Sequence, residues 1–162
     1  MRNIELPIFA RNVLGQSQTQ LGLTVKSNCI NAAFNFHGPQ INWEPYKPID
    51  FVKLIQGHYL QLPHGDNLTY GDLIVMWSRT SGSWDDRKIM TSEINESDPD
   101  FPYGLVFDHV VVFLEDNLVF HKPNPKMESK YCIETLTTAM SVTIDKMGFE
   151  LTYHRKNTNS YL

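Results

Sequence analysis

Apolar positions change period along the chain. Around "SNCINAAFNFHGP" they suit a helix: Ser27 or Asn28 is a natural N-cap, Ala32, Ala33 and Phe34 support the turns, and Gly38-Pro39 end them. "PIDFVKLIQG" predicts a second helix, capped by Asp50 and stopped near Gly57. From there the spacing shortens. "YLQLP" reads as a strand, "GDLIVMW" (71–77) as a buried one, and "FDHVVVFLEDNLVFHKP" (107–123) as a hairpin. "YCIETL", "SVTI" and "FELTYHRK" are further candidate strands, the last alternating Phe149, Leu151 and Tyr153. Helices followed by an antiparallel sheet define an α+β domain.

The polar, Gln/Thr-rich residues 1–26 predict an N-terminal arm, and 27–162 a single domain. The long polar stretch at 78–103 suits a lid, a binding loop or an insertion.

The hairpin places two histidines on neighbouring strands, and the length of its turn decides whether they share a face. A two-residue turn, Asp116-Asn117, would pair His121 with Val112, on the face opposite His109. A three-residue loop from Glu115 to Asn117 would pair it with Val111, bringing the imidazoles within reach as diagonal neighbours. Both registers are open; the three-residue loop is the one a functional pair requires.

Composition narrows the classes. The chain has 162 residues, 41% of them hydrophobic, enough for a core, and a net charge of -4, which recommends no nucleic-acid partner. No apolar run reaches the roughly 18–20 residues of a membrane span. The start has no apolar core of a signal peptide, so the expectation is a cytoplasmic protein, or a secreted or cell-envelope one in its mature form. Two cysteines are too few for a disulfide framework and fit no zinc spacing, so neither metal nor cofactor is expected.

Of the two, Cys29 stands at the start of its helix. The dipole there favours thiolate and free amides could hold an oxyanion; a small buried apolar residue is the equal alternative. Cys132, mid-strand, reads as filler. His37 is expected to cap the carbonyls of its helix, His58 and His64 to lie at the surface, and His154 to be structural or solvated. Trp43, Tyr46 and Trp77 read as core or rim, and Trp84 and Asp108 as weak substrate-binding candidates.

Taken together, Cys29 at a helix start, Gly71-Asp72-Leu73, His109-Val110-Val111-Val112, Val119-Phe120-His121 and the terminal "TYHRK" resemble the bacterial NlpC-type family of papain-like cysteine peptidases. The resemblance spans about residues 27–156. It implies a papain-like fold and a cysteine hydrolase that cleaves a peptide or peptidoglycan-like amide. Cys29 would be nucleophile, His109 base and His121 the residue that orients it, with the amides of Cys29 and Asn28 as oxyanion hole. The family's usual Asp-Cys-Ser reads Asn28-Cys29-Ile30 here, and residues 15–28 lack the family's substrate-binding Tyr. That widens the substrate to other amides, esters or thioesters. The rivals are an acyltransferase or thioesterase on the same fold, a non-catalytic binding module, and a metal site built on His109 and His121 with Asp108 adjoining.

Overall fold

The apolar run at 73–77 is uninterrupted because its strand is buried on both faces. Leu73, Val75 and Trp77 join one core, Ile74 and Met76 another, and all five are fully buried. In this computed structural model, which describes residues 4–38, 40–79, 105–144 and 149–158, that strand is central. The expected loop at 78–103, with Trp84, falls almost wholly outside the described residues.

Four helices and six strands are described: α1 (Ile8–Val13), α2 (Cys29–His37), α3 (Pro48–His58), β1 (Tyr59–Leu62), β2 (Leu73–Arg79), β3 (Leu105–Glu115), β4 (Leu118–His121), β5 (Cys132–Thr135), α4 (Leu136–Ile144) and β6 (Phe149–Lys156). The strands form one antiparallel sheet in the order β1-β6-β2-β3-β4-β5. The α+β class is as expected. Residues of α1, α2 and α3 pack with Val75, Trp77, Val110, Val112 and Phe120 on one face; α4 contributes Leu136, Ala139 and Met140 to the other, with Ile74, Met76, Val111 and Val119.

Several local expectations change. The stretch 1–26 is more than an arm, since Phe9, Ala10 and Val13 of α1 enter the core. Helix α3 starts earlier than Asp50: Lys47 is its N-cap and Pro48 opens it, where a missing amide costs nothing. "SVTI" ends α4 instead of forming a strand. The missed signal is Thr135, whose Oγ1 accepts from the Thr138 amide at 3.2 Å in the manner of an N-cap. Leu136, Ala139 and Met140 then fall on one stripe, and their burial outweighs the few tenths of a kcal/mol by which Val and Thr disfavour helix.

The Gly71-Asp72 pair has a structural role. Gly71 adopts φ +91, and a Cβ there would meet His37 Cε1 at 3.1 Å, so only glycine fits the turn into β2. Buried Asp72 accepts from Arg155 Nε at 3.0 Å and Nη2 at 2.8 Å, tying the start of β2 to the basic end of β6.

Candidate active site

Helix α2 begins with a reciprocal cap. Asn28 Oδ1 accepts from the amides of Ile30 (3.0 Å) and Asn31 (3.2 Å), while Asn31 Oδ1 accepts from the Asn28 amide at 3.1 Å. Asn31 is held in turn, donating through Nδ2 to the carbonyls of Asn42 and Glu44. Three amides of this helix start are therefore occupied. The Cys29 N–H donates to no oxygen of a described residue. The Asn28 amide, expected to share an oxyanion hole, is spent on the cap, and Cys29 alone retains that capacity.

Cys29 is buried. Burial pushes its thiol up to about 11, while the amides of Val110, Cys29 and Ile30 and the Lys122 ammonium pull the other way. The helix start favours the expected thiolate, but desolvation by burial is the larger influence and favours the thiol.

The histidines meet. His109 Nε2 lies 2.7 Å from His121 Nδ1, and His121 Nε2 lies 2.6 Å from Glu134 Oε1. The turn between their strands is nevertheless two residues long. Glu115 pairs with Leu118 across Asp116-Asn117, and Asp116 takes the left-handed conformation at φ 52. A bulge at Leu114 supplies the odd residue inside β3, so that Val112 pairs with Phe120 and the His121 register returns to Val111. The expected three-residue loop is replaced by a two-residue turn plus a bulge, with the same parity.

The relay fixes its own tautomers. A carboxylate only accepts, so His121 carries its proton on Nε2 and presents a bare Nδ1. His109 then donates from Nε2, which leaves the lone pair on Nδ1, a nitrogen with no hydrogen bond to any described residue. Both rings rest neutral. Burial, then the neighbouring His121, holds His109 down to about 3; burial also lowers His121, against the pull of Glu134.

By strand alternation the histidines belong with Val111 and Val119, the face that α4 covers, whereas Cys29 sits with α2 on the other. Cys29 and His109, though not His121, line a common cavity beside the bulge where Met76 pairs with His109 but Trp77 with Phe107, leaving Asp108 as the extra residue. This cavity, of about 270 Å³, is lined by Cys29, Tyr46, Phe107, Asp108, His109 and residues 123–125. No hydrogen bond joins Cys29 Sγ to either imidazole among the described residues; the cavity is what Cys29 and His109 share. A larger one, about 800 Å³, lies at the other end of α2 beside Phe36 and Tyr70, without a cysteine.

Two residues of this region were missed from sequence. Glu134 reaches His121 because β5 pairs Cys132 with His121 and Val119 with Glu134, which puts Glu134 on the histidines' face. Lys122 points the other way and is fully buried, its Nζ donating to the carbonyls of Ser27 (3.3 Å), Asn124 (2.8 Å) and Lys126 (2.8 Å). Three donors meet three acceptors, clasping the cavity wall to the start of α2. Burial brings its pKa down to about 8, with Cys29 and Glu128 opposing. The only signal for Lys122 was its place after His121; for Glu134 it was alternation in "YCIETL".

Of the remaining residues, His154 is buried, and His37 does not cap its helix. The Gly38 amide closes onto Phe34, and Lys156 Nζ donates to the His37 carbonyl. Fold and site together define an α+β domain in which a buried cysteine and a His-His-Glu relay border one cavity. No protein-family model, no curated protein and no solved structure matches the chain. No described helix is long and apolar enough to cross a membrane.

Proposed function

We propose that the protein is a cysteine hydrolase of the papain-like, NlpC-type kind, acting on a peptide or related amide. The observation that carries this reading is the relay from Glu134 through His121 to His109, which leaves a bare Nδ1 on a residue bordering the same cavity as Cys29.

With thiol and imidazole both neutral at rest, proton transfer accompanies attack. His109 Nδ1 takes the Sγ proton as sulfur bonds to the substrate carbonyl carbon. The carbonyl oxygen becomes an oxyanion that the Cys29 N–H can stabilise. His121 and Glu134 stabilise the imidazolium, and Lys122 favours negative charge near the sulfur. The imidazolium returns its proton to the leaving amine, and the acyl group stays on sulfur as a thioester. Water, deprotonated by His109, then releases the acid. If an amine or alcohol takes the place of that water, the same intermediate performs acyl transfer. Tyr46, Phe107 and the prolines at 123 and 125 make the cavity wall largely apolar, suiting the body of a peptide, with Asp108 as a polar contact.

Brief iodoacetamide treatment followed by mass spectrometry tests the reading. Exposure alone predicts that half-buried Cys132 reacts before buried Cys29. An activated nucleophile predicts the reverse, with Cys29 labelling slowed in His109→Ala. Preferential labelling of Cys132, with Cys29 indifferent to His109, would sink it.

A further inference from the structure

The pairing of β4 with β5 assembles a second cluster at the far end of the relay. His121 and Cys132 are direct cross-strand partners, and Glu134 lies two residues further along the same face. One ligand atom from each, an imidazole nitrogen, a thiol sulfur and a carboxylate oxygen, come within 4.8 Å of one another, and Cys132 and Glu134 are only half-buried. We propose that His121, Cys132 and Glu134 form a site for a zinc-class divalent ion, and that its occupation switches off the base His109.

The donor set argues for such an ion. One imidazole nitrogen, one thiolate and one carboxylate suit a borderline-soft cation, and three protein ligands leave a position for water. Hard cations such as magnesium and calcium favour all-oxygen sites. Spacing in the sequence could not reveal this site, because its ligands are brought together by strand pairing and not by a local motif.

The regulatory half rests on the hydrolase reading and follows from proton bookkeeping. In the free relay, His121 Nε2–H donates to Glu134, and His109 Nε2–H donates to His121 Nδ1. A metal ion on His121 Nε2 takes the lone pair of that nitrogen and forces its proton to Nδ1. The bond between the rings then reverses: His121 Nδ1–H donates to His109 Nε2, and neutral His109 must carry its proton on Nδ1. That was the bare nitrogen. Cys132 loses its proton to solvent as its sulfur binds, so no other co-reactant is needed. His109 keeps its place and its neighbours but has nothing with which to take the Cys29 proton.

The test uses zinc chloride and four forms of the full chain: wild type, Cys132→Ser, Cys29→Ala and, as a control, His109→Ala. Equilibrium dialysis with metal analysis reads binding; the rate at which iodoacetamide labels Cys29 reads the base. The expected result is one zinc per chain in wild type and Cys29→Ala. Cys132→Ser should weaken binding by more than the ~10–100-fold that losing a residue which merely supports a metal ligand costs. Zinc should slow Cys29 labelling in wild type and leave it unchanged in Cys132→Ser, whose metal-free labelling matches wild type. Equal binding in wild type and Cys132→Ser overturns the site. So does loss of binding in Cys29→Ala, which would put the ion on the nucleophile. Zinc bound through Cys132 with Cys29 labelling unaffected overturns the switch. A His109→Ala control separates the two readings: if Cys29 reactivity ignores His109 in metal-free protein, the hydrolase reading fails, and dialysis still decides the metal site.

Discussion

Two histidine chains lie within this one sheet, and they are built alike up to the point where they part. In the first, His109, His121 and Glu134 run from the cavity to a half-exposed carboxylate. In the second, Trp77 Nε1–H donates to Thr152 Oγ1 at 2.7 Å, and Thr152 Oγ1 lies 2.8 Å from His154 Nε2. All three histidines are buried, and burial lowers the proton affinity of each, His109 to about 3 and His154 to about 4. The difference lies in the ends. The indole can only donate, so this chain begins at a donor anchored in the core, and the hydroxyl that accepts from it keeps a proton and a second lone pair to meet His154 Nε2. The other chain ends on an acceptor, which pushes lone pairs along it until a bare nitrogen remains on a cavity-lining residue. Burial and hydrogen bonding make a histidine rigid; the polarity of its chain's far end decides whether it has anything left to offer.

The largest expected effect separates the chains by activity. Cys29→Ala should abolish turnover of peptide and ester substrates, and His109→Ala should lower it on the order of 10²–10⁴. His154→Gln should leave it at wild-type level. Similar losses in His109→Ala and His154→Gln would erase the distinction. His121→Asn keeps an acceptor for His109 Nε2–H, so its turnover should exceed that of His121→Ala; the opposite order would remove His121 from the relay.

Stability should separate them the other way. Thr152→Val strands the indole N–H and the His154 nitrogen, for a loss of about 1–3 kcal/mol per orphaned group in denaturant unfolding, with turnover unchanged. A loss below half a kcal/mol would show that the second chain is not a closed structural unit.

The third effect is in pH and, per pH unit, is the smallest. His154 binds a proton near pH 4 when folded and near 6.5 when unfolded, so the unfolded chain holds more protons between those values. Its contribution is therefore complete above about pH 6.5 and is lost as pH falls toward 4, by up to about 1.4 kcal/mol per pH unit. His154→Gln should flatten the acid slope of denaturant stability by that amount. An unchanged slope would mean that His154 is not held neutral by the fold.

The sequence made the α+β class, the start of the Cys29 helix and the hairpin that carries two histidines readable because they rest on local signals: a cap before Cys29, an apolar run after Gly71, a turn between two Val- and Phe-rich strands. What escaped it was non-local or compensated. Glu134 and the ligand cluster around it depend on which strand pairs with β4. The Leu114 bulge restored by one irregularity the parity that the short turn had broken. Lys122 carried no signal beyond its place after a strand; only the fold brings Ser27, just before α2, and the loop at 123–126 around it with three carbonyls. The state of the Cys29 sulfur escaped too, since a helix dipole can be read from a cap but desolvation depends on everything packed around it.

The place of β6 between β1 and β2 has a consequence in time. Tyr59 must wait for Lys156, and Leu73 for His154, before the centre of the sheet can close. A ribosome adding about 5–20 residues per second leaves β1 without its partner for roughly five to twenty seconds. The hairpin carrying His109 and His121 is local and closes in about 1–10 μs once its strands are free. On the growing chain the two histidines can therefore meet long before β2 gains β6 as its second partner. Through that interval the unpaired edge of β2 is what nascent-chain chaperones would have to shield.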